Sequence, residues 1–238
     1  MTRDVQLAPQ SLAAMELFRG LPLFALDSAA ACARVRRLPQ DMRIFNQGDD
    51  GVRAHAIIEG SVRIAQSGSD GAQVVIRFIG PTEMFGAVSL FTDGRYPADA
   101  ITLAETLEAS WSQDELLELM GRYPQIAINV IRIIGKRLQE VQDRVRELAT
   151  HRAERRVAHA VLRLARQAGH STVDGMTIEF PLRRKDVADI SGTTLYTVSR
   201  ILTAWEKAGL LVSHNLRLSV REPSEILRIA EDSPVRLA

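Results

Sequence analysis

Apolar and polar positions follow two different rhythms along the chain. Between about residues 43 and 111, glycines separate short apolar stretches, and the strand candidates are residues 53–58, 61–66, 73–79, 99–103 and 107–112. Many short strands at such intervals predict an antiparallel β-roll or jelly roll. A roll of this size encloses a pocket that suits a small ligand. Residues 12–19 and 28–34 have the pattern of short helices that precede the roll.

The second rhythm belongs to a long helix. A helical stretch begins at residues 114–121, and residues 125–150 continue it without a proline. Apolar residues recur there at alternating spacings of four and three, at Ala127, Ile131, Ile134, Leu138, Val141, Val145 and Leu148. This spacing is typical of two helices that pack along their length. A helix packed on its own domain is the alternative, but it usually has a wider apolar stripe. We therefore predict a homodimer whose interface contains Ile131 and the five apolar residues after it.

Residues 181–211 have the pattern of a helix-turn-helix. Ala188 is small where two helices must approach closely, and Gly192 permits the positive φ of the turn. Thr193 and Thr194 are natural N-caps for a second helix with the apolar stripe Leu195, Val198, Leu202 and Trp205. Residues 211–218 alternate around an Asn-containing turn and predict the wing of a winged helix. A helical hairpin in a larger core is the alternative, but caps, stripe and wing together favour DNA binding.

Charge is distributed unevenly between the two halves of the chain. Its 238 residues, 46% of them hydrophobic, leave room for two domains, and the net charge is +1. Residues 151–221 carry 12 Lys/Arg and 6 Asp/Glu, whereas residues 1–150 carry 16 and 19. This asymmetry fits one DNA-facing domain and one that does not face DNA.

Several protein classes do not match the sequence. No apolar run approaches 18 residues and no signal peptide is visible, so we expect a cytoplasmic protein without a membrane partner. The chain has no phosphate loop, no G-x-S-x-G motif and no His/Cys spacing of a metal site. We therefore do not expect an enzyme. The lone Cys32 excludes an internal disulfide.

The order of roll, long helix and winged helix-turn-helix resembles the CRP/FNR superfamily of bacterial transcription regulators. The resemblance covers about residues 24–220, and the segments that carry it are FNQGD (45–49), EGSV (59–62), FGAVSLF (85–91) and TVSRIL (197–202). It implies an α+β fold with an N-terminal antiparallel β-roll of the cyclic-nucleotide-binding type, a long dimerisation helix and a C-terminal winged helix-turn-helix. The corresponding parts of the chain are residues 1–122, 123–150 and 151–238.

The resemblance also places an effector pocket. Residues 85–91 resemble the phosphate cassette of cyclic-nucleotide-binding members, so the predicted pocket contains Phe85, Gly86, Ala87 and Val88. Those members use a Glu for the ribose and an Arg-Ser pair for the phosphate, where this chain has Ala87 and Pro97-Ala98. Because a buried phosphate would meet no charge, we expect no cyclic nucleotide. Members with an iron–sulfur cluster use four cysteines, so one Cys excludes that cluster as well.

A closer resemblance points to a different effector. The segments IRFIGPTEMFG, RYPADA and SGTTLYTVSR resemble the NnrR/DNR-type regulators, which respond to nitric oxide and control denitrification genes. This resemblance implies haem b in the roll, and His55, on a predicted strand beside small residues, is the first candidate for an axial ligand. An ordinary hydrogen-bonded or surface histidine is the alternative. A regulator that is constitutive, or that answers to another effector without haem, is the alternative function.

The resemblance of residues 197–202 to the family's recognition helix assigns the DNA contacts. Arg200 is placed for a bidentate contact with guanine O6 and N7, and Ser199 and Thr197 for contacts with bases or phosphates. Tyr196 replaces the family's usual Glu and is expected to meet a thymine methyl or a phosphate. Thr194, at the helix start, and Lys185 are expected to contact phosphates.

The expected partners follow from these assignments. They are double-stranded DNA with a pseudo-palindromic operator, a second copy of the chain and, as the family implies, RNA polymerase. The resemblance implies an activator.

Overall fold

The computed structural model describes residues 7–68, 73–172, 175–178 and 180–231 of the chain. They form two compact units. One unit contains the described residues up to Gln73 together with Ile79–Val141. The other contains Val74–Phe78 and the described residues from Gln142 onward.

Eight strands in the first half of the chain build two four-stranded sheets. They are β1 (Arg34–Leu38), β2 (Arg43–Phe45), β3 (Arg53–Glu59), β4 (Val62–Ser67), β5 (Gln73–Ile79), β6 (Met84–Phe85), β7 (Asp99–Thr102) and β8 (Thr106–Ser112). One sheet has the order β1-β8-β3-β6 and the other β2-β7-β4-β5. In the first sheet β3 runs antiparallel to β6 and β8, which places His55 opposite both Phe85 and Ser110. This register brings β6 and β8 to either side of His55.

Helices cover the core of the roll. They are α1 (Pro9–Ala13), α2 (Leu23–Ala31), α3 (Gln113–Arg122) and the first part of α4 (Pro124–Thr150). The Trp111 indole N–H donates to the Ala29 carbonyl oxygen at 2.8 Å, which ties α2 to β8. A capping box starts α3, because the Ser112 hydroxyl accepts from the Glu115 N–H and the Glu115 carboxylate accepts from the Ser112 N–H.

Helix α4 has two apolar faces. Ile126, Val130 and Ile133 pack into the core of the roll, and the Asn129 side chain donates to two backbone carbonyls before α2. The second face is the predicted seam, and its side chains are 41–69% exposed: Ile131, Ile134, Leu138, Val141, Val145 and Leu148. The helix therefore packs on its own domain and still leaves the seam uncovered.

The second unit holds the remaining elements. They are α5 (Ala153–Ala168), β9 (Gly169–Thr172), β10 (Gly175–Ile178), α6 (Arg184–Ser191), α7 (Leu195–Lys207), β11 (Leu211–His214), β12 (Arg217–Val220) and α8 (Pro223–Glu231). The strands form one sheet with the order β11-β12-β10-β9. The β11–β12 hairpin turns at Asn215 and Leu216, both with positive φ, as a two-residue turn of this kind requires.

Most of the predicted elements are confirmed. The five predicted strands lie within one residue of β3, β4, β5, β7 and β8, and α3, α4, the helix-turn-helix and the wing are present. The helix predicted at 28–34 spans Leu23–Ala31 instead, because Arg34 already begins β1. The helix predicted at 12–19 is α1 followed by a 3₁₀ turn at Glu16–Phe18.

No helix in the described ranges is both long enough and apolar enough to cross a membrane.

Candidate functional site

The turn between α6 and α7 has the geometry that the sequence predicts. Gly192 adopts φ 59°, its N–H donates to the Asp189 carbonyl, and the Thr193 N–H donates to the Ala188 carbonyl at 3.1 Å. These bonds satisfy the last carbonyls of α6. The Thr194 hydroxyl then accepts from the Thr197 N–H at 3.1 Å and caps α7. The predicted roles of Gly192 and of Thr194 as N-cap are confirmed.

The buried stripe of α7 differs from the predicted one by one residue. Val198, Ile201, Leu202 and Trp205 are buried, whereas Leu195 is 48% exposed. Leu195 is the first residue of α7, and the buried face of the helix begins one turn later, at Val198. Trp205 donates its indole N–H to Glu154 on α5 at 3.1 Å, which fixes the far end of the helix.

The opposite face of α7 is open. Tyr196 is 76% exposed, Arg200 is exposed, and Thr197 and Ser199 are partly exposed. Across the described residues, the Arg200 guanidinium makes no hydrogen bond and no ion pair. Its five N–H donors are therefore available to an external acceptor.

The basic residues at the start of α6 divide into two roles. Arg184 is turned toward α7, where it donates to the Ser199 carbonyl, the Thr203 hydroxyl and the Glu206 carboxylate. This bridge holds α7 against the start of α6. The sequence pattern does not predict it, because its partners on α7 lie 15–22 residues after Arg184. Lys185 is 57% exposed and forms an ion pair with Asp189 one turn later. Its predicted contact with a phosphate stays a prediction.

A buried hydrogen-bonded chain occupies the middle of the roll. His55, 3% exposed on β3, bonds through Nδ1 to Glu108 on β8 and through Nε2 to the Tyr96 hydroxyl at 2.8 Å. Glu108 is fully buried and also accepts from Arg36 on β1, from Nε at 2.9 Å and Nη2 at 2.8 Å. The Tyr96 hydroxyl accepts from the Arg53 N–H at 2.8 Å. One hydrogen-bonded chain therefore links four separate segments of the roll, with His55 between Glu108 and Tyr96.

The protonation states in this chain follow from burial and charge balance. Burial lowers the pKa of His55, and the hydrogen bond to Glu108 opposes this only in part. Burial alone would raise the pKa of Glu108, but its bonds to His55 and Arg36 and their charges lower it overall. Since Arg36 already balances the carboxylate, a protonated His55 would leave a net buried charge. Neutral His55 thus donates from Nδ1 to Glu108 and accepts from Tyr96.

This arrangement predicts a pH dependence of stability. The native protein holds His55 neutral, whereas the unfolded chain binds a proton near the ordinary pKa of 6.5. Protons therefore favour the unfolded chain, and the contribution is complete above pH 6.5 and lost below it. Between pH 7 and 5.5 we expect His55 to remove about 1 kcal/mol from the free energy of unfolding.

Urea titrations of the wild type and His55→Gln across this range measure that loss. The variant should be less stable at pH 7 and should depend less on pH than the wild type does. His214→Gln, the same change in the exposed wing, is the matched control. A His55→Gln curve with the wild-type slope would show that the network does not titrate in this way.

The predicted effector segment lies beside this network. Gly86 adopts φ 74°, and a Cβ there would come within 2.9 Å of the His55 ring. The positive φ and the close approach to His55 both favour glycine at this position. Phe85 is buried, Ala87 is partly buried, and Val88 is 52% exposed and points away from the buried cluster. The pocket predicted from these four residues stays a prediction.

The positions that resemble a phosphate cassette carry no charged side chain. The cassette positions hold Ala87, Pro97 and Ala98, which bring no charge. The cation nearest in sequence, Arg95, is 62% exposed and pairs with Asp50 at 3.2 Å. The Tyr96 ring is buried instead and stacks on Phe45 at 3.6 Å between ring centroids. An aromatic contact therefore lies directly beside Pro97 and Ala98.

His55 does not offer a free nitrogen to a haem iron. Both ring nitrogens are hydrogen-bonded, and the Tyr96 bond on Nε2 would have to break before that atom could ligate a metal. The described residues contain no group of three or more His, Cys, Asp or Glu side chains arranged to hold a metal ion. The described conformation of His55 thus does not fit an axial ligand.

Comparisons with known proteins identify both parts of the chain. Residues 35–123 match the cyclic nucleotide-binding domain and residues 155–229 match the Crp-like helix-turn-helix domain. The "Cyclic AMP receptor protein" of Thermus thermophilus is 31% identical over 214 residues, which covers 90% of this chain and 96% of that protein. The "Global nitrogen regulator" of Nostoc sp. is 25% identical over 198 residues, with 82% and 88% covered.

Solved structures agree with the fold. FixK2 from Bradyrhizobium japonicum superimposes with a TM-score of 0.72 at 23% identity, over 83% of this chain and 96% of that one. The two domain matches and the extent of the similarity to the Thermus protein establish the relationship that the recognition helix and the roll had indicated. The chain belongs to the CRP/FNR family and is a DNA-binding transcription regulator.

Proposed function

We propose that the protein binds a pseudo-palindromic operator as a homodimer, with one α7 helix in each of two successive major grooves. The observation that carries this proposal is the unengaged Arg200 guanidinium on the open face of a helix whose other face and both ends are fixed. A guanidinium held in this way reads guanine O6 and N7 by a bidentate contact. Tyr196, Ser199 and Thr197 on the same part of α7 complete the contact surface, and Thr194 and Lys185 meet phosphates.

The seam of α4 supplies the second half of the proposal. Six apolar side chains with coiled-coil spacing stay 41–69% exposed while the other face of the helix is packed. A continuous apolar stripe of this kind is costly in water and is typical of a partner-binding surface. A parallel pair of α4 helices would relate two copies by a two-fold axis. A pseudo-palindromic operator has the same symmetry.

Selection of bound duplexes from a random pool tests the proposed function. We expect the recovered sequences to form an inverted repeat with a guanine in each half-site and half-site centres about 10 base pairs apart. Recovery of single, unrepeated motifs would contradict the dimeric arrangement. Recovery of no sequence in preference to others would contradict specific binding altogether.

We further propose that the roll binds a small effector next to Tyr96 and that binding shifts the population of two DNA-domain orientations. The network of Tyr96, His55, Glu108 and Arg36 supports this, because a ligand that displaces Tyr96 acts on three strands at once. The change would reach the DNA-binding part through α4 and the hinge near residues 150–152. A regulator that needs no ligand is the alternative, and it predicts equal operator affinity in all conditions.

The names of the relatives and the residues of this chain point to different effectors. Relatives are named for cyclic AMP and for nitrogen regulation. Because no charged side chain lies at the phosphate positions, we expect cyclic AMP at millimolar concentration to leave operator affinity unchanged. The resemblance to nitric-oxide-responsive regulators supports haem b and control of nitrogen-oxide metabolism genes, whereas the occupied nitrogens of His55 count against that ligand.

An absorption spectrum of protein from haem-replete cells distinguishes haem b from an effector without haem. A Soret band that His55→Gln abolishes would support haem at His55 and would require Tyr96 to move. A spectrum without the band would overturn the haem version and leave the other effector open. The family relationship further supports activation through RNA polymerase in the cytoplasm.

A further inference from the structure

A cluster of cationic side chains lies where α4 ends and α5 begins, entirely within the second unit. We call it the junction cluster, and its members are Arg144 and Glu147 on α4, His151 after it, and Arg156, His159 and Arg163 on α5. The helices are separated here by only two residues, His151 and Arg152. The cluster lies outside the DNA-binding face and outside the roll.

One carboxylate faces two guanidinium groups and one imidazole in this cluster. Glu147, 5% exposed, accepts from Arg163 Nη1 with both oxygens, at 2.6 and 2.9 Å. Arg144 Nη1 and His159 Nδ1 each lie 3.9 Å from its oxygens, within ion-pair range but beyond a hydrogen bond. Positive charge therefore exceeds negative charge at this site.

Among the described residues, the surrounding elements bring no second carboxylate to the excess charge. Arg156 donates to the backbone carbonyls of His151, Ser191 and Gly192. Asp189 on α6 offers Arg144 only its backbone carbonyl, at 3.4 Å, because its carboxylate pairs with Lys185. Arg155 is turned to the Ala230 carbonyl on α8.

Three buried side-chain nitrogens at this site lack a hydrogen-bond partner among the described residues. Arg144 Nη1, Arg163 Nη2 and His159 Nε2 are enclosed and make no hydrogen bond in the described part of the chain. Buried polar atoms almost always have a partner, and an unsatisfied one lowers stability. Their side chains keep 23%, 30% and 26% exposure, so their edges reach solvent.

The titration behaviour agrees with missing negative charge. Burial and the neighbouring charge of Arg163 lower the pKa of Arg144 to about 10, and Glu147 does not compensate. Burial also lowers the pKa of His159, against the attraction of Glu147 and with the repulsion of Arg163, His151 and Arg155. The charge of an added anion would oppose both shifts.

We propose that the junction cluster is a binding site for a small tetrahedral oxyanion of the phosphate or sulfate class. Arg144, Arg163 and His159 supply the donors, and a tetrahedral oxyanion has an acceptor oxygen for each of the three. The bound ion would join the end of α4 to α5 and so stiffen the junction between them. The DNA-binding part would then respond to this second ligand independently of any effector in the roll.

Sulfate is the probe of choice, because it does not titrate between pH 6 and 8. With the full-length protein, sulfate at ten times its dissociation constant should raise Tm by about 3–6 °C over sodium chloride of equal ionic strength. Calorimetry should give one sulfate per chain. Affinity should rise as pH falls from 8 to 6, since a protonated His159 donates from both nitrogens.

Variants of opposite expected sign separate binding from a structural role. Arg163→Gln should weaken sulfate binding at least tenfold. Arg144→Gln should weaken it as well, and this variant keeps the Arg163–Glu147 pair. Glu147→Gln should strengthen binding about threefold, because it removes the competing carboxylate. Arg146→Gln is the matched control, since Arg146 is 70% exposed on the same helix.

Two results would overturn the proposal. Equal Tm shifts in all four variants and the wild type would mean a general effect of sulfate on the protein surface. An absence of sulfate binding, with Arg163→Gln shifting the monomer–dimer equilibrium instead, would mean that a carboxylate of the second chain completes the cluster.

Discussion

Arg200→Ala is expected to weaken operator binding by a factor of about 30 or more, with the fold intact. A bidentate contact between arginine and guanine contributes about 1–3 kcal/mol of discrimination, and a dimer loses two of them. The side chain is exposed and has no partner within the described protein, so its removal should change the free energy of unfolding by less than about 0.5 kcal/mol. Fluorescence anisotropy at one fixed salt concentration measures the affinity.

The loss should be specific to guanine. On operators in which the half-site guanine is replaced, the wild type should bind as weakly as the variant does, because the contact is already absent. Arg166→Ala, which removes an exposed arginine from α5, is the matched control and should stay within about threefold of the wild type. If Arg200→Ala and Arg166→Ala bound the operator equally well, α7 would not be the reading helix.

Leu138→Glu is expected to split the dimer and to lower operator affinity by about 100-fold or more. Leu138 lies in the middle of the seam and is 57% exposed in the single chain. In a paired helix it would be buried against its symmetry mate, where two glutamates would place like charges in an apolar contact. Each monomer would then have to bind its half-site independently and lose the advantage of linkage.

Sedimentation of the variant measures the first effect, and anisotropy on the operator measures the second. Gln139→Glu adds the same charge to the neighbouring position of α4, outside the 4-3 pattern, and should remain dimeric. A dimeric Leu138→Glu protein would mean that the exposed seam serves another purpose.

Sequence alone reached the fold where the signal was local. Alternation between glycines located five strands, and the 4-3 spacing located α4 with its exposed seam. Gly192 and Thr194 were identifiable because turn and cap depend on the residue at one position. The predicted burial of Leu195 was wrong, because the helical period alone does not show at which residue a helix begins to pack against its neighbour.

The interior polar contacts could not be predicted from the sequence, because their partners lie far apart along the chain. Tyr96 and Glu108 lie 41 and 53 residues after His55, and the register of β3 with β8 is what brings Glu108 to the imidazole. His55 was singled out, yet as a ligand for iron rather than as the centre of a hydrogen-bonded chain. The junction cluster likewise depends on how α4 and α5 pack, since Glu147 and Arg163 are 16 residues apart.

The central claim is that two α7 helices read neighbouring turns of one face of the duplex. The most direct measurement is the affinity of the wild-type protein for a palindromic operator before and after insertion of five base pairs between its half-sites. The insertion rotates one half-site to the other side of the duplex, so affinity should fall by about 100-fold or more. An affinity that does not change with the insertion would contradict the account.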